Sequence, residues 1–499
     1  MAAANRRVGS PAVDVPSPTI TLTDVAAATR AEVRGEDGRA ILEASYDSRA
    51  VAPGAVFFCI RGADDDGHRH AADAVAAGAS AVVVERWLPL EVPQARVASV
   101  REAIGPMSAV VFGHPAADLT TVAVTGTNGK TTCTYLLEAI FREGDRPPGV
   151  IGTIGARIDG SPVAIARTTP EAPDLHRLLA RMRRDGVRAV AVEVSSHALA
   201  QRRVDGVTFD VAIFTNLSQD HLDFHGTMEA YFDAKARLFT PGLAVRGVVG
   251  LDDAWGRRLA ESATIPITTY AAGTAADLRA TDLVVGPDGS AFRAGGVPVR
   301  TALRGDFNVQ NCLAALAAAR VLGFDPGETA TAIAAVREVP GRMETIDAGQ
   351  GFAVVVDYAH TPDSIRVVLR GARSLAAGRV LVVFGCGGER DRAKRPAMGS
   401  AATSSADLTF ITSDNPRSED PLAIIDEIVP GADEGGGAYV VEPDRRLAIR
   451  RALHEARPGD VVVVAGKGHE PTQEIGGTTI PFDDREVVRA ELAALGDPA

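Results

Sequence analysis

The fold is decided by the stretch Thr121-Val122-Ala123-Val124-Thr125-Gly126-Thr127-Asn128-Gly129-Lys130-Thr131-Thr132, after which a helical pattern continues through about Arg142. The apolar run 121–124 predicts a buried strand, and the glycines allow a tight turn into the helix. Backbone N–H groups of such a turn, together with the helix N-terminus, face one anion, and Lys130 adds a point charge. The stretch therefore predicts a phosphate-binding loop rather than a glycine-rich turn with an incidental lysine.

This loop is a shortened variant of the general P-loop. The general pattern has four residues between its first glycine and Gly-Lys-[Ser/Thr], whereas only Thr127 and Asn128 intervene here. Thr131 is placed to offer its hydroxyl to Mg²⁺. The loop indicates nucleotide binding and leaves the reaction open, because a kinase, a GTPase switch and an ATP-driven ligase could all begin this way.

Short β-branched apolar runs alternate with longer Ala-, Leu- and Arg-rich helical stretches on both sides of the loop. Strands are predicted at 56–60, 81–84, 121–124, 189–194, 211–214, 248–251, 353–356, 380–384, 408–411 and 461–465, and helices near 70–77 and 311–322. This alternation is typical of parallel strands that are buried on both faces by helices. The predicted fold class is α/β, with a central P-loop ATPase-like parallel sheet.

The chain of 499 residues is long enough for about three domains. A polar, proline-containing segment at 113–119 and the turn Val339-Pro340-Gly341-Arg342 suggest the two boundaries. We therefore expect a smaller N-terminal α/β domain at 1–116, a central ATP-binding domain at 117–338 and a C-terminal Rossmann-like domain at 339–499.

Composition excludes several classes of protein. The 52 Lys and Arg against 64 Asp and Glu give a net charge of -12, which argues against a nucleic-acid partner. Four dispersed cysteines without a CxxC pair indicate neither a disulfide framework nor a thiolate zinc site. No apolar run approaches the roughly 18 residues of a membrane span, and residues 1–18 lack the apolar core of a signal peptide. We expect a cytoplasmic protein without membrane insertion.

Carboxylates and imidazoles follow two of the predicted strands. Glu193 lies near the end of one strand and is followed by Ser195 and His197, while the next strand leads to His221 and His225. Ligands of open parallel sheets bind beyond the carboxyl ends of strands, and Mg²⁺ takes oxygen ligands while it bridges phosphates. The pattern favours a metal site beside the loop. A Ser–His hydrolase is disfavoured because no Gly-x-Ser-x-Gly elbow surrounds Ser195.

The chain resembles the Mur ligase superfamily, the ATP-dependent amide-forming enzymes of peptidoglycan precursor synthesis, and the related folylpolyglutamate synthetases. The likeness covers all but the first twenty or so residues and lies in 125–132, 193–197, 215–223, Asn308 with Asn311, 341–344 and 357–362. Within the family it is most similar to the ligases that add the third amino acid. That likeness lies in Asp47-Ser48-Arg49, 384–391, Asp414-Asn415-Pro416-Arg417 and 466–470.

The resemblance implies that ATP phosphorylates a substrate carboxylate and that an amine then attacks the acyl phosphate. The nucleotide would be bound by Gly126, Thr127, Asn128, Gly129, Lys130, Thr131, Thr132, Asn308, Asn311, Arg342 and Asp357. Mg²⁺ would be held by Thr131, Glu193, His221 and Lys235, the last as a carbamylated lysine. Together with Lys130, the last three would be the catalytic residues.

The resemblance also implies two further substrates. UDP-N-acetylmuramoyl-L-alanyl-D-glutamate would be bound by Ser48, Thr168, Thr169, Ser195, Gln201 and Arg203, and meso-2,6-diaminopimelate by Arg390, Asp414, Asn415, Pro416, Arg417, Gly466 and Glu470. A guanidinium binds a carboxylate bidentately, so Arg417 favours diaminopimelate over L-lysine, which lacks the distal carboxylate. Residues 62–67 match the family in position but not in sequence.

The expected enzyme is a monomeric ATP-dependent ligase. The alternatives are a ligase that adds L-lysine, a folylpolyglutamate-type synthetase, and a UDP-sugar or nucleotide sensor without turnover.

Overall fold

The computed structural model describes residues 19–36, 38–62 and 65–496. The described residues form two compact units, which divide between His114 and Pro115. The division between them falls inside the segment predicted as a linker. The bounds of the three predicted domains stay predictions.

The first unit is built on a five-stranded sheet. Its strands are β1 (Glu32–Arg34), β2 (Glu43–Ser45), β3 (Ala55–Phe58), β4 (Ala81–Val84) and β5 (Gln94–Arg96), and its helices are α1 (Leu22–Ala27), α2 (Ala71–Ala76) and α3 (Val100–Val111). The strand order is β1-β5-β4-β3-β2, with β1 antiparallel to β5 and the other pairs parallel. Every residue of β3 and β4 is buried, which explains their continuous apolar sequence.

The second unit begins with an eleven-stranded sheet. Its strands are β6 (Thr120–Thr125), β7 (Pro148–Gly152), β8 (Gly155–Ile158), β9 (Ser161–Val163), β10 (Ala189–Glu193), β11 (Phe209–Phe214), β12 (Ala244–Gly250), β13 (Ile267–Ala271), β14 (Leu278–Gly286), β15 (Gly289–Ala294) and β16 (Val297–Thr301). The helices are α4 (Lys130–Glu143), α5 (Ala172–Arg184), α6 (Ser196–Ala200), α7 (Leu222–His225), α8 (Met228–Ala236), α9 (Ala254–Ser262), α10 (Phe307–Val321) and α11 (Pro326–Ala335).

The strand order of this sheet is β16-β15-β14-β13-β12-β11-β6-β10-β7-β8-β9. The expected parallel arrangement holds for the middle, but β7 to β9 and β14 to β16 are antiparallel. Most of these edge strands escape a search for apolar runs because they are partly exposed, and in β14 most side chains face solvent. The strand β7 is buried, but it is short and contains two glycines. The predicted α/β fold class with a parallel central sheet is confirmed, and antiparallel strands extend that sheet at both edges.

A six-stranded sheet follows. Its strands are β17 (Glu344–Ile346), β18 (Ala353–Asp357), β19 (Val380–Phe384), β20 (Leu408–Ile411), β21 (Tyr439–Val441) and β22 (Val461–Ala465), and a hairpin of β23 (Thr472–Ile475) and β24 (Thr478–Pro481) stands apart. The helices are α12 (Pro362–Leu375), α13 (Lys394–Thr403), α14 (Pro421–Gly435), α15 (Arg445–Glu455) and α16 (Asp484–Gly496). The order is β17-β18-β22-β19-β20-β21, and only β17 is antiparallel to its neighbour.

Helices cover both faces of the central sheet. On one face α4 and α10 pack on β6 and β11, with Leu137 and Leu313 wholly buried. On the other face α5 and α8 pack through Leu179 and Phe232. Burying a side chain of this size stabilises the fold by about 1.5–3 kcal/mol. The sheet therefore forms a rigid base for the loops at its ends.

The carboxyl ends of three neighbouring strands lie level with one another. The register pairs Glu193 with Val124 across β10 and β6, and Phe214 with Thr125 across β11 and β6. The loops that leave these strands consequently meet at one edge of the sheet. Among the described residues, none of the helices combines the length and apolar character that crossing a bilayer requires.

Candidate active site

The phosphate loop joins β6 to α4 through two glycines with positive φ. Gly126 has φ 147° and Gly129 has φ 89°. A Cβ atom would lie 1.9 Å from Thr215 Oγ1 at the first position and 2.3 Å from Asn311 Oδ1 at the second. Both positions require glycine, because side-chain oxygens from two other elements fill the space beside the loop.

The loop after β11 holds the phosphate loop in place. Asn216 Oδ1 accepts from the Asn128 N–H (3.0 Å), and its Nδ2 donates to the Asn128 carbonyl (3.1 Å). Thr215 Oγ1 donates to the same carbonyl (2.6 Å). These two residues were not predicted as site residues, although their position directly after a buried strand is a usable signal.

Two lysines converge on the base of the loop. Lys130 Nζ donates to the carbonyls of Gly126 (2.9 Å) and Thr127 (2.8 Å), and Lys235 Nζ donates to the Gly126 carbonyl as well (2.9 Å). Lys235 lies in α8 and is 1 % exposed. Burial, and then the charge of Lys130, lowers the pKa of Lys235 well below its ordinary value. Lys235 is thus no solvated helix lysine.

Glu193 ends β10 and is buried beside the loop. Its Oε1 accepts from the Thr153 N–H (3.0 Å) and its Oε2 from the Thr153 hydroxyl (2.9 Å). It does not cap the neighbouring helix, since Ser195 Oγ accepts from the N–H of Ala198 as the N-cap of α6. The carboxylate is therefore held at the sheet edge, where it lies close enough to influence the pKa of Lys130.

The predicted metal ligands supply hard donors. His221, with φ 55°, is the N-cap residue that precedes α7, and its ring lies edge-on to that of His197 with centroids 4.7 Å apart. Burial lowers the pKa of His221 to about 3, so the imidazole is neutral near pH 7 and able to ligate. Within the described residues, no group of three or more His, Cys, Asp or Glu side chains could hold a metal. Thr131, Glu193 and His221 instead fit Mg²⁺ bound jointly with phosphate oxygens and water, as is usual for this ion.

Asp220 joins the central and C-terminal sheets of the second unit. Its carboxylate is buried and lies 3.5 Å from Lys394 Nζ at the start of α13 and 3.7 Å from His360 Nε2 after β18. Burial raises the pKa of Asp220, but the hydrogen bond from His360 and the nearby cations outweigh it and hold that pKa well below its usual range. Sequence reasoning missed Lys394, because only the tertiary contact distinguishes it from other helix lysines.

The asparagines predicted to contact adenine lie on one buried face of α10. Asn308 Nδ2 donates to the Arg304 carbonyl (2.6 Å), and Asn311 Nδ2 donates to Asn308 Oδ1 (2.8 Å). The N-cap position of this helix belongs to Asp306 instead. Asn311 therefore connects the helix face to the phosphate loop through its contact with the Gly129 position.

The segment after the second predicted boundary approaches the same loop. Arg342 Nη2 donates to the Thr131 hydroxyl (3.0 Å), and the guanidinium lies 4.5 Å from the ring centroid of Tyr358. Asp357 accepts from the Met343 N–H (2.7 Å), and burial raises its pKa. Arg342 thus lies beside the phosphate loop, and Asp357 fixes the turn that carries it. Thr132 lies buried in the first turn of α4.

The residues predicted to bind the dipeptide form a connected surface beside Glu193. Thr169 Oγ1 donates to the Glu193 carbonyl (2.8 Å) and accepts from the Ser195 N–H (3.1 Å). Arg203 donates to Gln201 Oε1 (2.5 Å) and to the Thr169 carbonyl (3.2 Å). Thr168 lies 3.2 Å from Thr153 between their hydroxyl oxygens.

Ser48 lies in the first unit. It begins a 3-10 turn that Asp47 caps, and the Asp47 carboxylate pairs with Arg49 at 2.8 Å. In the segment 62–67, Ala63 and Asp64 lie outside the described residues.

Arg417 projects from the loop after β20. Its backbone has φ 55°, its N–H donates to the Glu474 carbonyl (2.9 Å), and its Nη1 donates to the carbonyl of Gly388. A Cβ at Gly387 would lie 3.2 Å from this guanidinium and 3.8 Å from Arg390 Cγ. Both predicted arginines therefore flank the loop after β19, with Arg390 exposed and Arg417 half-buried.

The other residues predicted to bind the amino acid meet between β20 and β22. Asn415 Nδ2 donates to Glu470 Oε2 (2.8 Å), and a Cβ at Gly466 would lie 2.4 Å from Asp414 Oδ2. Pro416 is buried, and its carbonyl approaches Gly388. Sequence reasoning missed the wholly buried Lys467.

Lys467 joins the two sides of this site. Its Nζ lies 3.3 Å from Asn415 Oδ1 and 3.4 Å from Glu470 Oε2, and it donates to the Thr472 carbonyl (2.5 Å). The signal that could have identified Lys467 is its position as a charged residue between two glycines.

Family models match along most of the chain. The models are Mur ligase family, catalytic domain, at 41–123, Mur ligase middle domain at 124–319 and Mur ligase, glutamate ligase domain, at 341–468.

Curated relatives named UDP-N-acetylmuramoyl-L-alanyl-D-glutamate--2,6-diaminopimelate ligase are similar over nearly the whole length. The one from Streptomyces coelicolor is 46% identical over 478 residues, which cover 92% of this chain and 94% of the relative. The one from Geobacillus thermodenitrificans is 46% identical over 466 residues, with 91% and 95% covered.

Solved structures confirm the fold class. A structure of UDP-N-acetylmuramoyl-L-alanyl-D-glutamate--2,6-diaminopimelate ligase is 35% identical, has a TM-score of 0.68, and the match covers 96% of this chain and all of that one. A Mycobacterium tuberculosis folylpolyglutamate synthase, complexed with ADP and AMPPCP, is 18% identical with a TM-score of 0.59 and shares the fold over 72% of this chain and 91% of that one.

Proposed function

The chain belongs to the Mur ligase family, and on that premise we propose that it joins meso-2,6-diaminopimelate to UDP-N-acetylmuramoyl-L-alanyl-D-glutamate with hydrolysis of ATP to ADP and phosphate. Relatives that bear the name of this activity at 46% identity over more than nine-tenths of the chain support the proposal. The observation that carries the choice of amino acid is Arg417, whose guanidinium projects beside Gly387 and Gly388 at the edge of the C-terminal sheet.

The first step activates a carboxylate. The substrate's terminal carboxylate oxygen attacks the γ-phosphorus of ATP, a new O–P bond forms, and ADP leaves. The N–H groups of 126–132 and the Lys130 ammonium would bind the phosphates, because fixed donors and cations stabilise the charge that spreads over phosphoryl oxygens. Thr131, Glu193 and His221 would hold Mg²⁺, which neutralises phosphate charge when bound. Asn308 and Asn311 would contact adenine.

The second step forms the amide. The neutral amine of diaminopimelate attacks the acyl carbon, a C–N bond forms, and phosphate leaves with its bonding electrons and takes up the proton that the nitrogen loses. The surface of Thr169, Ser195 and Arg203 would hold the acyl donor beside Glu193. Thr168, Gln201 and Ser48 would complete the binding of this substrate. Asp220, through Lys394 and His360, would keep the C-terminal sheet against the reacting groups.

Lys235 would act as a carbamate. Only a neutral amine adds CO₂, and burial beside Lys130 favours the neutral form of Lys235. In the unmodified chain, both side-chain nitrogens bond to the Gly126 carbonyl oxygen, so a charge on Lys235 would lie close to that of Lys130. A carbamate would replace one of these cations by oxygen anions, which suit Lys130 and a divalent cation.

Selection of diaminopimelate, which has a second carboxylate, would depend on the planar guanidinium of Arg417. Arg417 would bind the distal carboxylate of diaminopimelate bidentately, with Arg390 nearby and Glu470 suited to the distal ammonium. Asp414, Asn415, Pro416 and Gly466 would shape the pocket. L-Lysine offers no carboxylate there, so its binding would leave the guanidinium with only the Glu474 carboxylate, 3.9 Å from Nε, as an anionic neighbour.

A competition assay tests the proposed function. Purified protein receives ATP, Mg²⁺, the UDP-linked dipeptide and equal concentrations of meso-diaminopimelate and L-lysine, and the products are identified by mass. We expect the diaminopimelate tripeptide to dominate. A lysine tripeptide would establish the lysine-adding alternative, and turnover only with a folate acceptor would establish a folylpolyglutamate-type synthetase. Phosphate release separates a ligase from a sensor.

The proposed compartment is the cytoplasm, and the proposed state is a monomer. All four cysteines are buried and free, which suits a reducing compartment. Light scattering of the purified chain checks the oligomeric state.

A further inference from the structure

A buried ion pair lies directly beneath the proposed amino-acid site. Arg445 is the first residue of α15 and Asp484 the first residue of α16, and both side chains are fully buried. Arg445 Nε donates to Asp484 Oδ1 (2.8 Å) and Nη2 donates to Oδ2 (2.7 Å). The carboxylate therefore fixes the plane of the guanidinium.

The remaining donors of Arg445 reach two strand ends. Nη1 donates to the carbonyl of Ser413, just beyond β20 (3.2 Å), and Nη2 donates to the carbonyl of Ala465, the last residue of β22 (3.0 Å). The strand order places β19 between β20 and β22. Two strands separated in this way lie about 10 Å apart and share no backbone ladder. The guanidinium bridges that gap.

Each of these carbonyls directly precedes a loop of the proposed site. Ser413 leads into Asp414 to Arg417, and Ala465 leads into Gly466 to Glu470. We propose that Arg445, oriented by Asp484, is a positioning residue that sets the separation of the two loops and thereby the selection of the amino acid. The inference rests on the proposed function and adds to it a residue that contacts no substrate.

The fit between the loops leaves little tolerance for displacement. A Cβ at Gly466 would lie 2.4 Å from Asp414 Oδ2 and 3.9 Å from Arg445 Nη2. Asn415 and Glu470 hydrogen-bond across the gap at 2.8 Å. Misplacement of a binding group by about 1 Å can cost a hundredfold in rate. A shift of one loop would thus weaken the binding of both ends of the amino acid.

Stability alone does not account for this pair. Replacing a buried ion pair by apolar residues of similar volume is often neutral or stabilising, whereas removing one partner leaves an uncompensated charge. The double variant Arg445→Met/Asp484→Leu consequently separates the two roles. It keeps an apolar core but loses both donors to the strand-end carbonyls.

The test measures KM for each substrate in this double variant. We expect KM for meso-diaminopimelate to rise about 10- to 100-fold and the preference over L-lysine to fall, with KM for ATP and for the UDP-linked dipeptide unchanged. An unchanged KM for diaminopimelate in a variant that melts with the parent would overturn the inference. A uniform loss with all three substrates would also overturn it, because that result indicates a general structural role.

A second variant keeps the proposal testable if the double variant does not fold. Arg445→Lys retains the charge opposite Asp484, but one ammonium cannot reproduce the fork and reach both carbonyls. We expect a smaller rise in KM for diaminopimelate alone, and an unchanged KM would overturn the inference. The control is Arg379→Lys, since Arg379 Nε and Nη2 both donate to Asp460 Oδ2 at the opposite ends of β19 and β22. This control should leave every KM unchanged.

The outcomes separate this inference from the proposed function. If the parent protein does not use diaminopimelate, the proposed function fails. If the parent uses it and the Arg445 variants keep its KM, only the positioning role fails.

Discussion

The carboxyl edges of the two large sheets in the second unit build their sites in opposite ways. At the central sheet, one continuous stretch supplies the loop, and its shape depends on backbone turns at Gly126 and Gly129. At the C-terminal sheet, three separate stretches meet, at 387–390, 414–417 and 466–470. On the proposed function, the comparison teaches that phosphate binding would be encoded in a local backbone conformation, whereas amino-acid selection would depend on side chains brought from distant segments.

Buried charge is also used differently at the two edges. At the central edge, Lys130 and Lys235 bond to backbone carbonyls and lie beside the loop that would receive phosphates. Beneath the C-terminal edge, Arg395 pairs with Glu419 and Glu427, both at 2.9 Å. A cation that bonds only to carbonyls keeps a charge that an anionic ligand can neutralise. A cation that pairs with a carboxylate of the protein instead holds the loops that carry the two groups. The central edge thus offers two cations to a ligand, whereas at the C-terminal edge internally paired cations hold the loops that carry Arg417.

The largest expected effect tests the charge of the central edge. Lys130→Met should lower turnover about a thousandfold or more, because the phosphoryl group loses its cation. Phosphate release measures the loss. Calorimetry with meso-diaminopimelate should give an affinity close to that of the parent, since the C-terminal site is untouched. Turnover within tenfold of the parent would contradict the proposed division of roles.

The next effect tests the carbamate. Lys235→Ala should lower turnover by about 10²- to 10³-fold, and a small carboxylic acid should restore part of it by supplying the missing oxygens. Lys130→Met is the matched control, because an added acid cannot replace a cation and should not rescue it. A fully active Lys235→Ala variant would refute the role of a modified lysine.

A smaller effect tests the selection of the amino acid at the C-terminal edge. Arg417→Lys should raise KM for diaminopimelate about 10- to 100-fold, since an ammonium cannot reproduce the bidentate fork. KM for ATP should not change, because the nucleotide would bind at the central edge and not at the C-terminal edge. Arg390→Lys is the comparison variant and should have less effect, because Arg390 is exposed and bonds to a neighbouring carbonyl. Unchanged kinetics in Arg417→Lys would place the selecting group elsewhere.

The smallest effect concerns stability and pH. Burial depresses the pKa of Lys235 in the folded state, so the unfolded state binds more protons between that pKa and the ordinary value. Unfolding free energy therefore rises with pH across this window. Lys235→Met should melt above the parent near pH 7 in CO₂-free buffer, and the difference should shrink toward about pH 10.

Lys394→Met is the opposite control for this measurement. It breaks a buried pair with Asp220 and should melt below the parent. A parent that melts above Lys235→Met near pH 7 would contradict the account of Lys235.

Much of the fold was predictable because buried parallel strands are continuous apolar runs. The strands at 81–84, 380–384, 408–411 and 461–465 match β4, β19, β20 and β22 residue by residue. Other elements end at different residues from those predicted. The strand predicted at 248–251 spans Ala244–Gly250, and the helix predicted at 311–322 spans Phe307–Val321. Strand and helix ends depend on hydrogen-bond partners from other segments. The antiparallel edges were not found, because their exposed residues carry no apolar signal.

The sequence by itself determined the phosphate loop, the family and the stretches that form the proposed site. These are local features, since a strand, two glycines, a lysine and a helix must follow one another to surround a phosphate. Only the tertiary structure decided that Asp220 meets Lys394 and His360, and that Arg445 bridges Ser413 and Ala465. Those contacts join residues far apart in the chain, and strand order, which no local pattern encodes, brings them together.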